Sequence, residues 1–169
     1  YQVRSFDIAN MTLIRGDRGW ILIDPLTSSE SSAAALALAN EQLGERPVVA
    51  VLITHSHIDH FGGVLGVVTQ EHVLSGEVPV IAPKDFVNES LNENVLAGNA
   101  MGRRATYMYG NLLKPSAPGV VTPGIHATQA LGSTSFIVPP QTVHEPRTTH
   151  PHHRIPTQVQ NTRAPQTPP

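Results

Sequence analysis

Short β-branched and aliphatic blocks dominate the first part of the chain, and helix-like spacing follows them. Met11–Arg15 and Trp20–Asp24 are two β-prone runs flanking Gly16-Asp17-Arg18-Gly19, the composition of a hairpin turn. Tyr1–Ile8 alternates weakly and predicts a strand before them, and Asp24-Pro25 ends the hairpin. Ser28–Ser32 supplies N-cap candidates with Glu30 in the first turn, Ala33–Leu43 is rich in helix formers, and Gly44 stands where such a helix stops. Val48–Ile53 is unbroken and apolar, as in a parallel strand covered on both faces. Beyond it the spacing predicts a short helix over Phe61–Gln70, a strand over Val78–Ala82, and helices over Lys84–Leu91 and Glu93–Gly110. A hairpin followed by alternating strands and helices predicts a layered α/β fold.

The pattern fails near residue 139. From Gln141 to Pro169 there are six prolines, four histidines, no glycine and no aromatic residue, and Val143, Ile155, Val159 and Ala164 follow no period. Burial there is too small to offset ordering entropy, so residues 140–169 are expected to be a disordered Pro/Thr/His-rich tail with polyproline-like patches. The expected division is therefore a globular unit over 1–139 and a tail over 140–169.

Composition narrows the function by exclusion. A net charge of −2 with no basic cluster argues against nucleic acid or an anionic membrane as partner. No apolar run is long enough to span a bilayer. With no cysteine, disulfides and thiolate metal sites are excluded, while the compartment stays open. A chain that begins at Tyr1 rather than Met is expected to have lost something upstream.

One stretch carries chemistry. Residues 54–63 read THSHIDHFGG, immediately after the buried strand. His55 and His57 are two apart and can point the same way from an extended segment, to grip one metal ion. Asp59 and His60, after the chain turns, can reach a second ion or a nearby face. Neutral imidazole with carboxylate suits zinc, with iron or manganese as alternatives. Gly62-Gly63 permits a tight turn into the next helix. The spacing favours a two-metal centre whose water, acidified near neutral pH, attacks an ester. His72 and His126, standing alone, read as packed or solvated residues.

The H-x-H-x-D-H motif after a β-branched strand, with Asp24 closing an earlier strand, resembles the metallo-β-lactamase superfamily, which implies an αββα sandwich. NMTLIRGDRGWILIDPLTS, GERPVVAVLITHSHIDHFGGVLGVV and ENVLAGNAMGRRATYMYGNLL resemble its alkyl sulfatase branch, bacterial enzymes that hydrolyse alkyl sulfate esters. The resemblance runs from Tyr1 to about Pro139 and implies two zinc ions, one on His55 and His57, the other on Asp59 and His60. It implies that Asp59 also orients the catalytic water and that Asp24 tethers the metal loop. Tyr107 and Tyr109 are candidates for lining the alkyl-sulfate pocket, with helix-face packing as the alternative; Arg103 and Arg104 could steer the anion or be solvated. The implied partner is a small alkyl sulfate. Intact relatives are implied to be homodimers, through regions not seen here, and to work in the periplasm or outside the cell.

The family completes its metal site with downstream acids and a histidine. The family-like text is expected to stop near Gly132–Pro140, leaving the first half of the sandwich with an uncovered sheet edge. The remainder reads like a coding frame lost partway, and His144, His150, His152 and His153 are not expected to replace the missing ligands, because a flexible tract cannot place them. Three functions follow: a zinc-dependent alkyl sulfatase, inactive if truncated; a non-catalytic remnant that holds metal; or another hydrolase of the superfamily, a glyoxalase II-like thioesterase or a lactonase.

Overall fold

A computed structural model describes residues 1–114, 116–119, 121, 129–143, 147–152 and 155–160. Its centre is a mixed sheet in the order β1 (Gln2–Val3), β2 (Met11–Arg15), β3 (Trp20–Ile23), β4 (Val48–Leu52), β5 (Val80–Pro83) and β6 (Gln141–Val143). The first three strands are antiparallel and the rest run parallel to β3. The hairpin forms as expected, with Arg15 opposite Trp20. The run at Val48 becomes a central strand between β3 and β5, as its lack of polar alternation requires.

Helix α1 (Ser29–Leu43) crosses from β3 to β4, capped by Ser28, whose Oγ accepts the Ser31 N–H at 3.1 Å. Gly44, at φ 92°, ends it in a backbone conformation that glycine adopts without strain. The buried faces of α1 and the sheet enclose Met11, Leu13, Trp20, Leu22, Ala35, Ala39, Val51 and Val80. Trp20 is fully buried, so its indole N–H needs a partner, and it donates to Asn40 Oδ1 at 2.7 Å. The other sheet face buries a smaller cluster, Ile21, Ala50 and Leu52.

Several expectations give way. The first strand is two residues long, not eight, because Ser5 sits at φ 68° and Asp7 turns inward. Fully buried, the Asp7 carboxylate accepts from the amides of Ile8, Thr27 and Ala130 at 2.7–2.9 Å. Phe61–Gln70 is not a helix. It holds one 3₁₀ turn, Val64–Gly66, with another just before it at Ile58–His60, and α2 begins only at Gln70 (Gln70–Leu74). Gly62, Gly63 and Gly66 press on the carbonyls of Thr27, Pro25 and Ser29, and that contact sets the path here. Helices α3 (Phe86–Leu91) and α4 (Gly98–Tyr109) lie near their expected positions, but a π-helical stretch, Asn92–Leu96, joins them.

The expectation of disorder from Gln141 also needs correction. Gln141–Val143 pairs with β5, and β7 (Arg147–His152) forms an antiparallel hairpin with β8 (Ile155–Gln160). Val143 is 2% exposed, and its burial in the sheet outweighs the polar composition around it. Among the described residues the two edges of the sheet are short strands, β1 and β6. His126, His144, His153 and residues 161–169 lie outside the described residues.

A strap from Ala130 to Ile137 fastens the front of the sheet. Ser133 N–H donates to Glu30, and Ser135 donates to the Gly62 carbonyl through both N–H (2.7 Å) and Oγ (2.8 Å). Phe136 packs edge-on against Phe61 and stacks on Phe86. The contacts with Ser133 hold the Glu30 carboxyl below the usual carboxylate range.

Candidate metal centre

Strand β4 delivers the chain into Thr54, and β3 ends beside it at Asp24, which occupies φ 57°. An aspartate tolerates that conformation better than a branched residue. Its Oδ1 accepts the Thr54 N–H at 2.8 Å, and its Oδ2 accepts the Thr54 hydroxyl at 2.7 Å. Hydrogen bonds from Thr54 to Asp24 thus join the ends of two adjacent parallel strands.

The same Oδ2 lies 2.8 Å from His60 Nδ1, and His60 Nε2 lies 3.3 Å from Asp59 Oδ2. His55 Nδ1 is 2.9 Å from Thr54 Oγ1. The His55 ring centre is 4.0 Å from that of His60 and 4.5 Å from that of His57. His55, His57, Asp59, His60 and Asp24 are therefore gathered in one place. Asp59 and His60 belong to a 3₁₀ turn, from which His60 reaches back to Asp24.

The electrostatics follow from this packing. Burial pulls the His60 imidazole down, but the carboxylates of Asp24 and Asp59 outweigh it and raise the pKa to about 9. Burial would raise Asp59, yet its hydrogen bond to His60 holds it below its ordinary value. Burial and the neighbouring imidazoles push His55 down, toward the neutral form that a metal ligand needs. Between two carboxylates, protonated His60 carries a positive charge of the kind a divalent cation would bring.

Sequence reading missed Glu93. It sits in the π-helical stretch, and its Oε1 is 3.0 Å from His57 Nε2 while Oε2 accepts the Ser56 hydroxyl at 3.2 Å. Asn94 adds a hydrogen bond to the Ser56 carbonyl at 3.2 Å. The available signal is an acid opening the segment ENVLAGNAMGRR, which reads as the start of a helix and as text resembling the alkyl sulfatase branch, without a role for the acid. Tyr107 and Tyr109 lie at the end of α4, Tyr107 89% exposed, and among the described residues no hydrogen bond or ring contact joins either to the histidine loop. Arg103 and Arg104 are exposed on the same helix.

The donor set fits a borderline divalent ion in kind: three imidazoles and one carboxylate, with one ring nitrogen of His55 held by Thr54, one of His57 by Glu93, and both of His60 by Asp24 and Asp59. Among the described residues, no three histidine, aspartate or glutamate side chains converge as a finished cation cluster. Asp59 and Glu93 instead pair with ring nitrogens.

The sequence profile of the metallo-β-lactamase superfamily matches residues 4–160. The chain belongs to that superfamily. Membership implies metal ions, and the match runs past Pro139, so the likeness does not stop where the sequence reading placed its end. The chain is 47% identical over 150 residues to a linear primary-alkylsulfatase of Pseudomonas sp., covering 89% of this chain and 22% of that protein. It is 45% identical over 146 residues to the alkyl/aryl-sulfatase BDS1 of Saccharomyces cerevisiae, covering 86% and 23%. Such relatives thus come from both bacteria and yeast. The solved structure of the stereoselective inverting sec-alkylsulfatase Pisa1 from Pseudomonas sp. superposes with a TM-score of 0.89 at 40% identity, over 95% of this chain and 25% of that one. The mixed α/β sheet is thus the metallo-β-lactamase fold as alkylsulfatases build it. The chain spans less than a quarter of the length of these curated relatives.

Proposed function

We propose that this chain contributes the metal-loop part of a zinc-dependent hydrolase of alkyl sulfate esters, converting ester and water to alcohol and sulfate. Identity of 44–47% to three proteins named as alkylsulfatases, over 86–89% of the chain, carries this reading. The paired use of ring nitrogens supports its metal half. His55, His57, Asp59 and His60 would hold the metal. When bound, zinc would act as a Lewis acid and make water more acidic.

The chain's own residues do the rest. Asp24 holds the ends of β3 and β4 together through Thr54, which fixes where the histidine loop starts. Thr54 and Glu93 each engage one ring nitrogen, of His55 and of His57, and so set which nitrogen keeps its lone pair; His60 meets Asp24 and Asp59 through both nitrogens and would give up a proton on binding a metal. Asp59, held ionised, is the acceptor that would orient water toward the ester. The test is sulfate release from dodecyl sulfate, read by ion chromatography, on the zinc-loaded chain and on the H55A/H57A double variant. No release above the double variant would refute catalysis by this chain.

A second reading, metal binding without turnover, is favoured by His60, whose two ring nitrogens are both taken, by Asp24 and Asp59. Metal counting by mass spectrometry separates the two: one ion per chain with no sulfate released selects this reading, and two tightly held ions exclude it.

A further inference from the structure

We propose that Glu93 is a positioning residue for His57. Its carboxylate selects the imidazole tautomer with hydrogen on Nε2 and leaves the lone pair on Nδ1 for the metal. The proposal deepens the zinc reading and rests on it.

A carboxylate only accepts hydrogen bonds, so at 3.0 Å from Glu93 Oε1 the neutral His57 ring carries its hydrogen on Nε2. The Ser56 hydroxyl occupies the second oxygen, so the carboxylate is held from both sides. This geometry is the reverse of that at His55, which has Nδ1 engaged, by Thr54, whereas His57 has Nε2 engaged; His60 has both nitrogens engaged, Nδ1 by Asp24 and Nε2 by Asp59. The loop thus offers lone pairs of two kinds, and Glu93 is what makes His57 different. Carboxylate partners of ligand histidines fix ring orientation and raise basicity in just this manner.

The backbone around Glu93 is shaped for the task. In an α-helix, consecutive side chains diverge by about 100°. Over Asn92–Leu96 the helix widens to a π turn, with Ala97 N–H donating to the Asn92 carbonyl at 2.9 Å. Glu93 and Asn94, although adjacent, both reach the histidine loop: Glu93 takes His57 and the Ser56 hydroxyl, and Asn94 donates to the Ser56 carbonyl at 3.2 Å and to the Ser90 carbonyl at 2.8 Å. Such widened turns are frequent at functional sites.

The test uses the full chain, wild type, E93A and E93Q, with far-UV circular dichroism as the folding control. Long-range ¹H–¹⁵N NMR on the metal-free protein at pH 8 reads the His57 tautomer, and competition with a chromophoric chelator reads zinc affinity. The expected result is an Nε2–H tautomer in wild type that becomes mixed in E93A. Zinc affinity should fall about 10- to 100-fold in E93A, with E93Q between the two because its amide oxygen still accepts. An unchanged tautomer and an unchanged zinc affinity in E93A overturn the role of Glu93. A wild-type chain without zinc affinity overturns the zinc reading itself, and the tautomer, read without metal, tells the two failures apart.

Discussion

Replacing Asp24 by Asn tests whether a buried charge pair holds the histidine loop. The substitution keeps the side-chain shape, the acceptor for Thr54 N–H and the tolerance for φ 57°. It removes the negative charge 2.8 Å from His60 Nδ1. The His60 pKa is raised to about 9 from 6.5, a difference equivalent to roughly 3 kcal/mol for the whole site. Asp59 supplies part of it, and water reaches the 21% exposed ring, so about 1–2 kcal/mol falls to Asp24. The sign follows from the direction. A folded-state pKa above the unfolded value stabilises fully below pH 6.5, and the contribution disappears as pH rises through 9. The less favourable hydrogen bonds of an amide add about 0.5–1 kcal/mol at every pH. D24N should therefore lose about 1.5–3 kcal/mol at pH 6 and about 0.5–1 kcal/mol at pH 10. Urea unfolding with EDTA present, followed by the fluorescence of the single tryptophan, Trp20, measures both. An equal loss at the two pH values, or a larger one at pH 10, would refute the charge-pair account.

Zinc uptake at pH 7.5 should release a proton from His60, which is protonated in the metal-free loop, and calorimetry in buffers of different ionisation enthalpy should detect it; heats independent of buffer would contradict the assignment. G102A should raise stability by about 0.5–1 kcal/mol, because nothing lies within 4 Å of a methyl added there in mid-α4, whereas G63A should cost at least 2 kcal/mol, its methyl colliding with the Pro25 and Ser28 carbonyls; thermal melts of the pair check the contrast. F86A should cost about 3–4 kcal/mol by urea unfolding, since Phe86 is 2% exposed and packs on both Phe61 and Phe136.

What could be read from the sequence was local. The hairpin, the central strand and α1 follow from short-range patterning, and the histidine motif declares itself within six positions. Asp24 entered through the resemblance to the superfamily, as the acid that closes a strand ahead of the motif. Glu93 was not legible, since its meeting with His57 depends on a π turn and on packing between segments 36 residues apart, and neither leaves a periodic trace. Phe61–Gln70 misled because apolar spacing suggested a helix, while the glycines were serving close backbone approach. At Gln141–Val143 the prolines and threonines nearby hid three residues that complete a sheet.

The strap over Gly62 has a consequence for the order of assembly. A ribosome releases the histidine loop long before it releases Ser133, Ser135 and Phe136, the residues that fasten that loop and the start of α1. N-terminal segments fold first as they emerge, so the β2–β3 hairpin and α1 can collapse while the loop is still unfastened. Loading with a cation before residue 135 emerges would meet an unbuttoned site, and a stall in translation upstream of that point would leave one.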